Sequence, residues 1–510
     1  MDTREHGPGK MSRQVGLVFQ DPESQLFNMT VEDEVAFGLE SLGFSPVEIE
    51  KRISWALEVV RLSGLRKRHP LQLSGGQKKR LAIATVLAMR PQVLVLDEPV
   101  TGLDPVGRHE VLSVVEELKR EGDATIVMVE QDAEAVMAWA DRVVIMEGGR
   151  LVLEGPPRLV FSQVEALHDW GLAVPQMSEL AHLFNRRQRA SFHFMTEDEA
   201  YSALAGELQS NTQYPISNLQ LPTSNFQLLT SSERSLAIKV EDLWHCYDDG
   251  PLALAEVNLS VEPGDFLAIV GQNGSGKTTL VKHFNGLLRP TRGRVFVLGQ
   301  DTAGQSVGQL ARKVGYLFQN PDHQIFAPTV WEEVAFGPRN LGFSEREVAA
   351  RTAEALALFG LEDQADTPPA ILGYGLRRQV TLAAVWAMRP QILVLDEPTV
   401  GLDWRSTCTL MEEVANLNSQ GHTIIIITHD MKLVAEFARK VLILDEGRTL
   451  AYGPTRQVFQ QEAVLRQAFL APPPITAVAR RMRPYGLRGN SLTVEEFYQE
   501  YTALRSGQGE

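Results

Sequence analysis

The sequence predicts an α/β chain built from two modules in tandem, and three observations predict it. Set against itself, the chain repeats: Val15-Gly-Leu-Val-Phe-Gln20 matches Val314-Gly-Tyr-Leu-Phe-Gln319, and Leu94-Val-Leu-Asp-Glu-Pro99 matches Leu393-Val-Leu-Asp-Glu-Pro398, both at an offset of 299 residues. Equal offsets leave no room for an insertion between the matches, so a duplicated domain is the reading. Within each repeat, short apolar runs alternate with helical stretches, the order that builds mainly parallel sheets. Finally, a Gly-rich loop at 271–278 follows an apolar run and opens a helical one.

Buried strands are predicted at Phe266 to Val270, Gln391 to Leu395, Thr423 to Ile427 and Val441 to Leu444, with helices over Arg346 to Phe359 and Arg405 to Asn416. From about Gly171 to Ser235 the periodicity loosens and polar residues dominate. This stretch is predicted as a linker, a flexible tether with a short helix near Thr196 to Leu208. The segment after Ala471-Pro-Pro-Pro474 is expected to be a peripheral appendage, which sets boundaries at 1–170, 171–235, 236–470 and 471–510.

Composition narrows the function classes. A chain that is 44% apolar and 22% charged can bury sizeable cores. Its formal net charge of -15 argues against general nucleic-acid binding, which needs clustered cations that release counterions. The basic groups Arg186, Arg187, Arg189 and Arg480, Arg481, Arg483 are short enough to be solvated faces. Cys246 and Cys408 lie far apart without ligand-like spacing, which suits a reducing compartment. Residues 1–14 contain no apolar stretch resembling a signal peptide. The run Ile424 to Thr428 is far below the roughly 18 residues of a membrane span, so a membrane role would come through a partner.

The chemistry concentrates in a few segments. In Gly271, Gln272, Asn273, Gly274, Ser275, Gly276, Lys277, Thr278 and Thr279, the glycines let backbone N–H groups wrap a phosphate chain. Lys277 would reach the terminal phosphates, and Thr278 offers a hydroxyl to Mg²⁺. The strand ending at Asp396 and Glu397 places one carboxylate for the metal shell and the next for polarising water, the positioning that phosphoryl transfer requires. His429 closes the next apolar strand, where a side chain can reach a γ-phosphate. In repeat one, Ser74, Gly75, Gly76 and Gln77 open a helix and form a second anion-binding start without a lysine.

Together these segments resemble the ATP-binding-cassette (ABC) family, over roughly residues 1–165 and 236–465. The resemblance implies two P-loop NTPase modules, each a RecA-like core with a helical subdomain, and ATP and Mg²⁺ as cofactors. It implies head-to-tail pairing, so that each ATP lies between the P-loop of one module and the Leu-Ser-Gly-Gly-Gln signature of the other. Tyr247 matches the aromatic that stacks on adenine, and Gln319 the glutamine that senses the γ-phosphate and metal. One site would then draw Tyr247, 271–279, Gln319, Asp396, Glu397 and His429 from repeat two, and Ser74, Gly75, Gly76, Gln77 and Asp104 from repeat one. Glu397, His429 and Gln319 are its expected catalytic residues; Thr278, Gln319 and Asp396 its metal ligands.

The other site is expected to be inactive. Repeat two carries Leu372-Gly-Tyr-Gly-Leu376 as its signature, and repeat one has Gln131 where repeat two has His429. The P-loop expected for repeat one would fall before residue 1, and a start assigned too late or a broken gene is favoured over a shortened domain. Phe19-Gln-Asp-Pro-Glu-Ser-Gln-Leu-Phe and Phe318-Gln-Asn-Pro-Asp-His-Gln-Ile-Phe resemble the energy-coupling-factor (ECF) subgroup, which powers uptake of vitamins and of cobalt or nickel ions. That resemblance implies a transmembrane subunit, a membrane-embedded substrate-binding subunit and peripheral attachment at the cytoplasmic face of the cell membrane. Glu32 and Glu333 are expected at the docking surface. Rival readings are a fused sugar-importer ATPase, and a soluble twin-cassette protein acting on ribosomes or DNA.

Overall fold

The computed structural model describes residues 7, 11–122, 124–211, 236–247, 250 and 252–506. The chain divides into two compact units, Met1–Val160 and Phe161–Glu510.

The first unit holds β1 (Val15–Val18), β2 (Val93–Asp97) and β3 (Thr125–Val129), a parallel sheet in sequence order, and a separate hairpin of β4 (Val143–Glu147) and β5 (Arg150–Gly155). Its core forms where the helices Val31–Ser41, Pro46–Val59, Gly75–Leu87 and Pro105–Glu121 pack on one face of the sheet. Among the described residues the opposite face is open: Val127 and Val129 of β3 are 46% and 50% exposed.

The second unit begins its cassette with β6 (Ile238–Cys246), β7 (Leu252–Val261), β8 (Phe266–Val270), β9 (Arg292–Val297) and β10 (Gln300–Asp301). It continues with β11 (Val314–Leu317), β12 (Ile392–Asp396), β13 (Thr423–Ile427), β14 (Lys440–Asp445) and β15 (Arg448–Pro454). β11, β12, β13, β8, β14 and β15 make one six-stranded sheet in that order, parallel except for β15. β10, β9, β6 and β7 make an antiparallel sheet. The central strands are buried on both faces, which explains their unbroken apolar runs. Alternate residues serve two cores: Ala268, Leu395 and Ile426 pack toward the helices, while Leu267, Val394 and Ile425 pack with the antiparallel sheet. The predicted strand over Thr423 to Ile427 is β13, and the two predicted helices are Glu345–Leu358 and Trp404–Ser419.

The linker expectation needs correction. Residues 171–211 are not a loose tether, because Gln176–Gln188 and Glu197–Asn211 are helices packed within the second unit. Their apolar faces meet those of the tail helices Pro474–Arg481 and Val494–Arg505 in a separate core containing Leu180, Phe184, Leu204, Val478 and Phe497. Phe184 lies at its centre, with ring centroids 5.0 Å from Tyr498 and 5.2 Å from Tyr501. Tyr501 donates to the Leu204 carbonyl at 3.0 Å. Two of the arginine clusters serve this contact: Arg187 pairs with Glu495 at 2.7 Å, and Arg481 with Asp198 at 2.6 Å. The tail is thus half of a folded subdomain rather than a peripheral appendage. The remainder of the expected linker, 212–235, lies outside the described residues.

The two helix pairs are themselves repeats. Glu199 accepts from the Met195 N–H, and Glu496 accepts from the Leu492 N–H, in the equivalent turn of the tail. The duplication therefore continues through the segments read as linker and tail. Phe184→Ala should cost this core about 3–5 kcal/mol. Hydrogen exchange is expected to quicken in Val494–Arg505 as well as in Gln176–Gln188; unchanged protection in the tail helix would contradict the shared core.

Candidate active site

The phosphate loop is built where β8 ends. Gly271, Gly274 and Gly276 have φ of 147°, 81° and 95°, conformations that L side chains rarely adopt. A Cβ at Gly271 would lie 2.2 Å from the Leu444 carbonyl oxygen, so the loop also needs glycine for space. Ser275 Oγ is buried and has no hydrogen-bond partner among the described residues. Lys277, buried, donates from Nζ to the carbonyls of Gly271 at 2.8 Å and Gln272 at 2.7 Å, which curls the loop around its ammonium.

Parallel pairing carries the acidic pair to the same end of the sheet. Asp396 lies opposite Ile427, and Ile427 opposite Ile269 of β8. Asp396 Oδ2 accepts from Thr278 Oγ1 at 3.0 Å and from Tyr316 Oη at 2.8 Å. Burial raises the Asp396 pKa, against the lowering effect of those two hydrogen bonds. A hydroxyl and a carboxylate in contact fit Mg²⁺, which commonly takes one or two protein oxygens and completes its shell with water and substrate phosphates. Among the described residues no group of three His, Cys, Asp or Glu side chains could hold a metal unaided.

Glu397 turns out of the strand with φ of 47°. Its Oε1 lies 3.1 Å from His429 Nδ1. Burial disfavours the imidazolium, yet the hydrogen bond and charge of Glu397 raise the His429 pKa above its ordinary value. Gln319 is exposed at the start of the loop after β11, and Tyr247 is half-exposed beside the P-loop helix, its Oη 3.1 Å from Thr279 Oγ1.

Two contributors escaped the motif reading. Tyr316 holds Asp396, and its equivalent in repeat one is Leu17. Arg378, fully buried, donates to the carbonyls of Glu397 at 2.5 Å and Pro398 at 2.9 Å and thereby pins the turn that presents Glu397. Lys79 replaces it in repeat one, donating to the Glu98 carbonyl at 2.9 Å, and burial pushes its ammonium down to about 8. The available signal was a basic residue at one offset in both signature helices.

Repeat one gives the same acid different partners. Glu98, with φ of 42°, accepts from Gln20 Nε2 at 2.6 Å, Gln131 Nε2 at 2.5 Å and Thr101 Oγ1 at 2.9 Å. All three donors are neutral. The signature helix Gly75–Leu87 is capped reciprocally, Ser74 Oγ accepting from the Gln77 N–H and Gln77 Oε1 from the Ser74 N–H. Gly76 allows close approach to the next helix, since a Cβ there would lie 3.2 Å from Gly107 Cα. Asp104 caps that helix, accepting from the Gly107 N–H at 2.7 Å, and Asp403 does the same in repeat two. In repeat two Gly373 provides no side-chain cap and Tyr374 occupies the first helical position.

The docking expectation also needs correction. Glu333 is buried and accepts from the N–H groups of Phe326 and Ala327, so it shapes its loop rather than facing a partner. Its counterpart is Glu34, which holds Phe27 and Asn28, whereas Glu32 pairs with Arg66.

The ABC transporter family model matches residues 2–101 and 254–400. An ABC transporter ATP-binding protein of Caldanaerobacter subterraneus subsp. tengcongensis is 41% identical over 475 residues, covering 93% of this chain and 82% of that protein. One of Methanosarcina acetivorans is 37% identical, covering 94% of this chain and 78% of that protein. Among solved structures, cbiO1 from Clostridium perfringens, part of the ABC transporter complex cbiONQ, is 35% identical over 46% of this chain and 94% of its own, with a TM-score of 0.42. With its P-loop, its strand-end carboxylates and these relatives, the chain belongs to the ATP-binding proteins of ABC transporters, ATPases that carry two cassette regions in one polypeptide.

Proposed function

We propose that this chain powers an importer of the ECF type and hydrolyses ATP at one site, the one that contains Glu397. The contrast between the two strand-end glutamates carries the asymmetry. His429 can accept, hold or return a proton beside Glu397, whereas the side-chain amides facing Glu98 donate hydrogen bonds to it and cannot carry a proton. Glu98 is engaged on both oxygens, which leaves it poorly placed to orient water.

In the active arrangement, Lys277 and the loop amides bind the phosphates, and Thr278 and Asp396 would hold Mg²⁺, which supplies charge neutralisation when bound. Glu397 orients the attacking water and His429 stabilises the γ-phosphate end, with Gln319 exposed at the start of the loop after β11. The family resemblance assigns Ser74, Gly75, Gly76 and Gln77 of the first module to the same nucleotide. The degenerate Gly373-Tyr-Gly-Leu376 offers no equivalent hydroxyl or amide side chain to a second nucleotide.

The partner reading rests on the paired segments that resemble the ECF subgroup. Each presents an exposed aromatic pair, Phe27 with Phe37 at 4.9 Å and Phe326 with Phe336 at 4.6 Å, ring edge to face. Phe27 and Phe326 are both 64% exposed, and the large apolar residues Leu71 and Ile371 are exposed in the respective modules. Among the described residues no helix is long and apolar enough to cross a membrane, so the membrane contribution is assigned to separate subunits. Uptake of a vitamin or a transition-metal ion is the transport reaction we assign.

Two outcomes test this reading. In the assembled transporter, Glu397→Gln should lower the ATPase rate by at least about 10²-fold, and Glu98→Gln by less than about threefold. Equal losses would contradict the asymmetry. Separately, Phe27→Asp and Phe326→Asp should each reduce copurification with the transmembrane subunit without changing the ATP affinity of the isolated chain; undiminished copurification would remove this surface from the proposal.

A further inference from the structure

The residue read as the adenine stacker, Tyr247, is joined to the phosphate loop through two histidines that no part of the phosphate chemistry uses. His245 meets the Tyr247 ring edge-on, with centroids 4.7 Å apart and planes at 87°. His245 Nδ1 lies 3.1 Å from the Arg289 carbonyl and 3.3 Å from His283 Nε2. His283 Nδ1 lies 2.8 Å from the carbonyl of Thr279, whose hydroxyl is the group that contacts Tyr247 Oη. The contacts close a circuit from Tyr247 to His245, His283, Thr279 and back. Both imidazoles are buried, His283 completely.

The partners fix the protons. A carbonyl only accepts, so the Thr279 contact requires a hydrogen on His283 Nδ1, and neutral His283 then offers Nε2 as an acceptor. That acceptor requires a hydrogen on His245 Nδ1, the same atom that the Arg289 carbonyl requires. One pair of neutral tautomers serves all three contacts, the single His245 Nδ1 hydrogen being shared between the Arg289 carbonyl and His283 Nε2, and leaves His245 Nε2 buried and without a partner among the described residues. A second proton on His283 would set N–H against N–H, and burial, helped by His245, pushes its pKa down to about 4.

We propose that His245 and His283 are positioning residues for the nucleotide base, holding the plane of Tyr247 at a fixed height above the helix that starts at Lys277. The two elements need such a joint. Tyr247 stands just beyond the end of β6 in the antiparallel sheet, whereas Lys277 and Thr278 belong to the helix that follows β8 of the parallel sheet. A base stacked on Tyr247 and phosphates held by the loop are covalently one molecule, so an error in the distance between the elements weakens binding at one end or the other. The inference rests on the reading of Tyr247 as the base-stacking residue.

The test compares ATP with inorganic triphosphate, which keeps the phosphates and lacks the base, as ligands of the full chain. His245→Leu and His283→Leu are each expected to weaken ATP binding about three- to tenfold, the range of one aromatic contact. Triphosphate binding should stay within about twofold, because its ligands lie on the loop. In a Tyr247→Ala background neither histidine substitution should weaken ATP further. His283→Asn keeps a donor toward the Thr279 carbonyl while losing the contact with His245, and it carries the same expectation should the leucine variant fail to fold. Equal weakening of ATP and triphosphate, unchanged ATP binding, or full additivity with Tyr247→Ala would overturn the positioning role. Undiminished ATP binding by Tyr247→Ala alone would overturn the stacking reading and the inference with it.

Discussion

The candidate active site depends on one constraint, the place of β8 between β13 and β14. Parallel pairing aligns Ile427 with Ile269 on one side and with Asp396 on the other, so three strands end at one level. The residues that follow those ends are Gly271, Glu397 and the Thr428-His429 pair. Loops at the carboxyl ends of adjacent parallel strands are where open α/β sheets place ligands. The sheet in turn depends on cover from both sides, which the helices and the antiparallel sheet provide. Where the first module lacks that cover among the described residues, β3 exposes valines at the positions where β13 buries isoleucines.

Given that frame, chemistry is set by what surrounds the same backbone turn. Glu98 and Glu397 leave their strands with nearly the same left-handed φ, 42° and 47°, and each turn is pinned by a buried cation. What differs is the set of side chains facing the carboxylate. Replacing an imidazole with an amide leaves the acid hydrogen-bonded but removes the neighbour that can carry a proton. The two signature helices diverge in the same way: Ser74 and Gln77 cap one end reciprocally, while the equivalent end in repeat two has neither side chain. Divergence between the modules has acted on hydrogen-bonding groups and left the strand order of the shared part intact.

The sequence made the local motifs legible because they are contiguous. The glycines at 271, 274 and 276 announce a loop whose backbone L side chains rarely adopt, and Asp396-Glu397 at the end of an apolar run announces buried acids. Tyr316 and Arg378 were not legible as site residues, since they reach the carboxylate and its carbonyls only once the strands and the signature helix have packed. The short helix expected near Thr196 to Leu208 is present as Glu197–Asn211, but the helix Gln176–Gln188 and the packing of both were missed for a related reason. Their apolar faces are completed by the tail some 300 residues away, so the partner that buries each face is not visible in the segment itself. A matching Thr-x-x-Glu at Thr196 and Thr493 would have revealed the pairing, because both threonines precede glutamates that close the same kind of turn.

The proposed function commits one nucleotide per chain to hydrolysis at the P-loop of the second module, where the family resemblance expects the signature of the first module to meet it. The direct measurement is nucleotide retention by the Glu397→Gln transporter after trapping with Mg²⁺–ATP, with an arginine placed at each signature in turn. Tight retention at the Lys277 loop is expected, lost on Ser74→Arg and unaffected by Gly373→Arg. Retention that survives Ser74→Arg, or that is lost on Gly373→Arg, would contradict the proposed function.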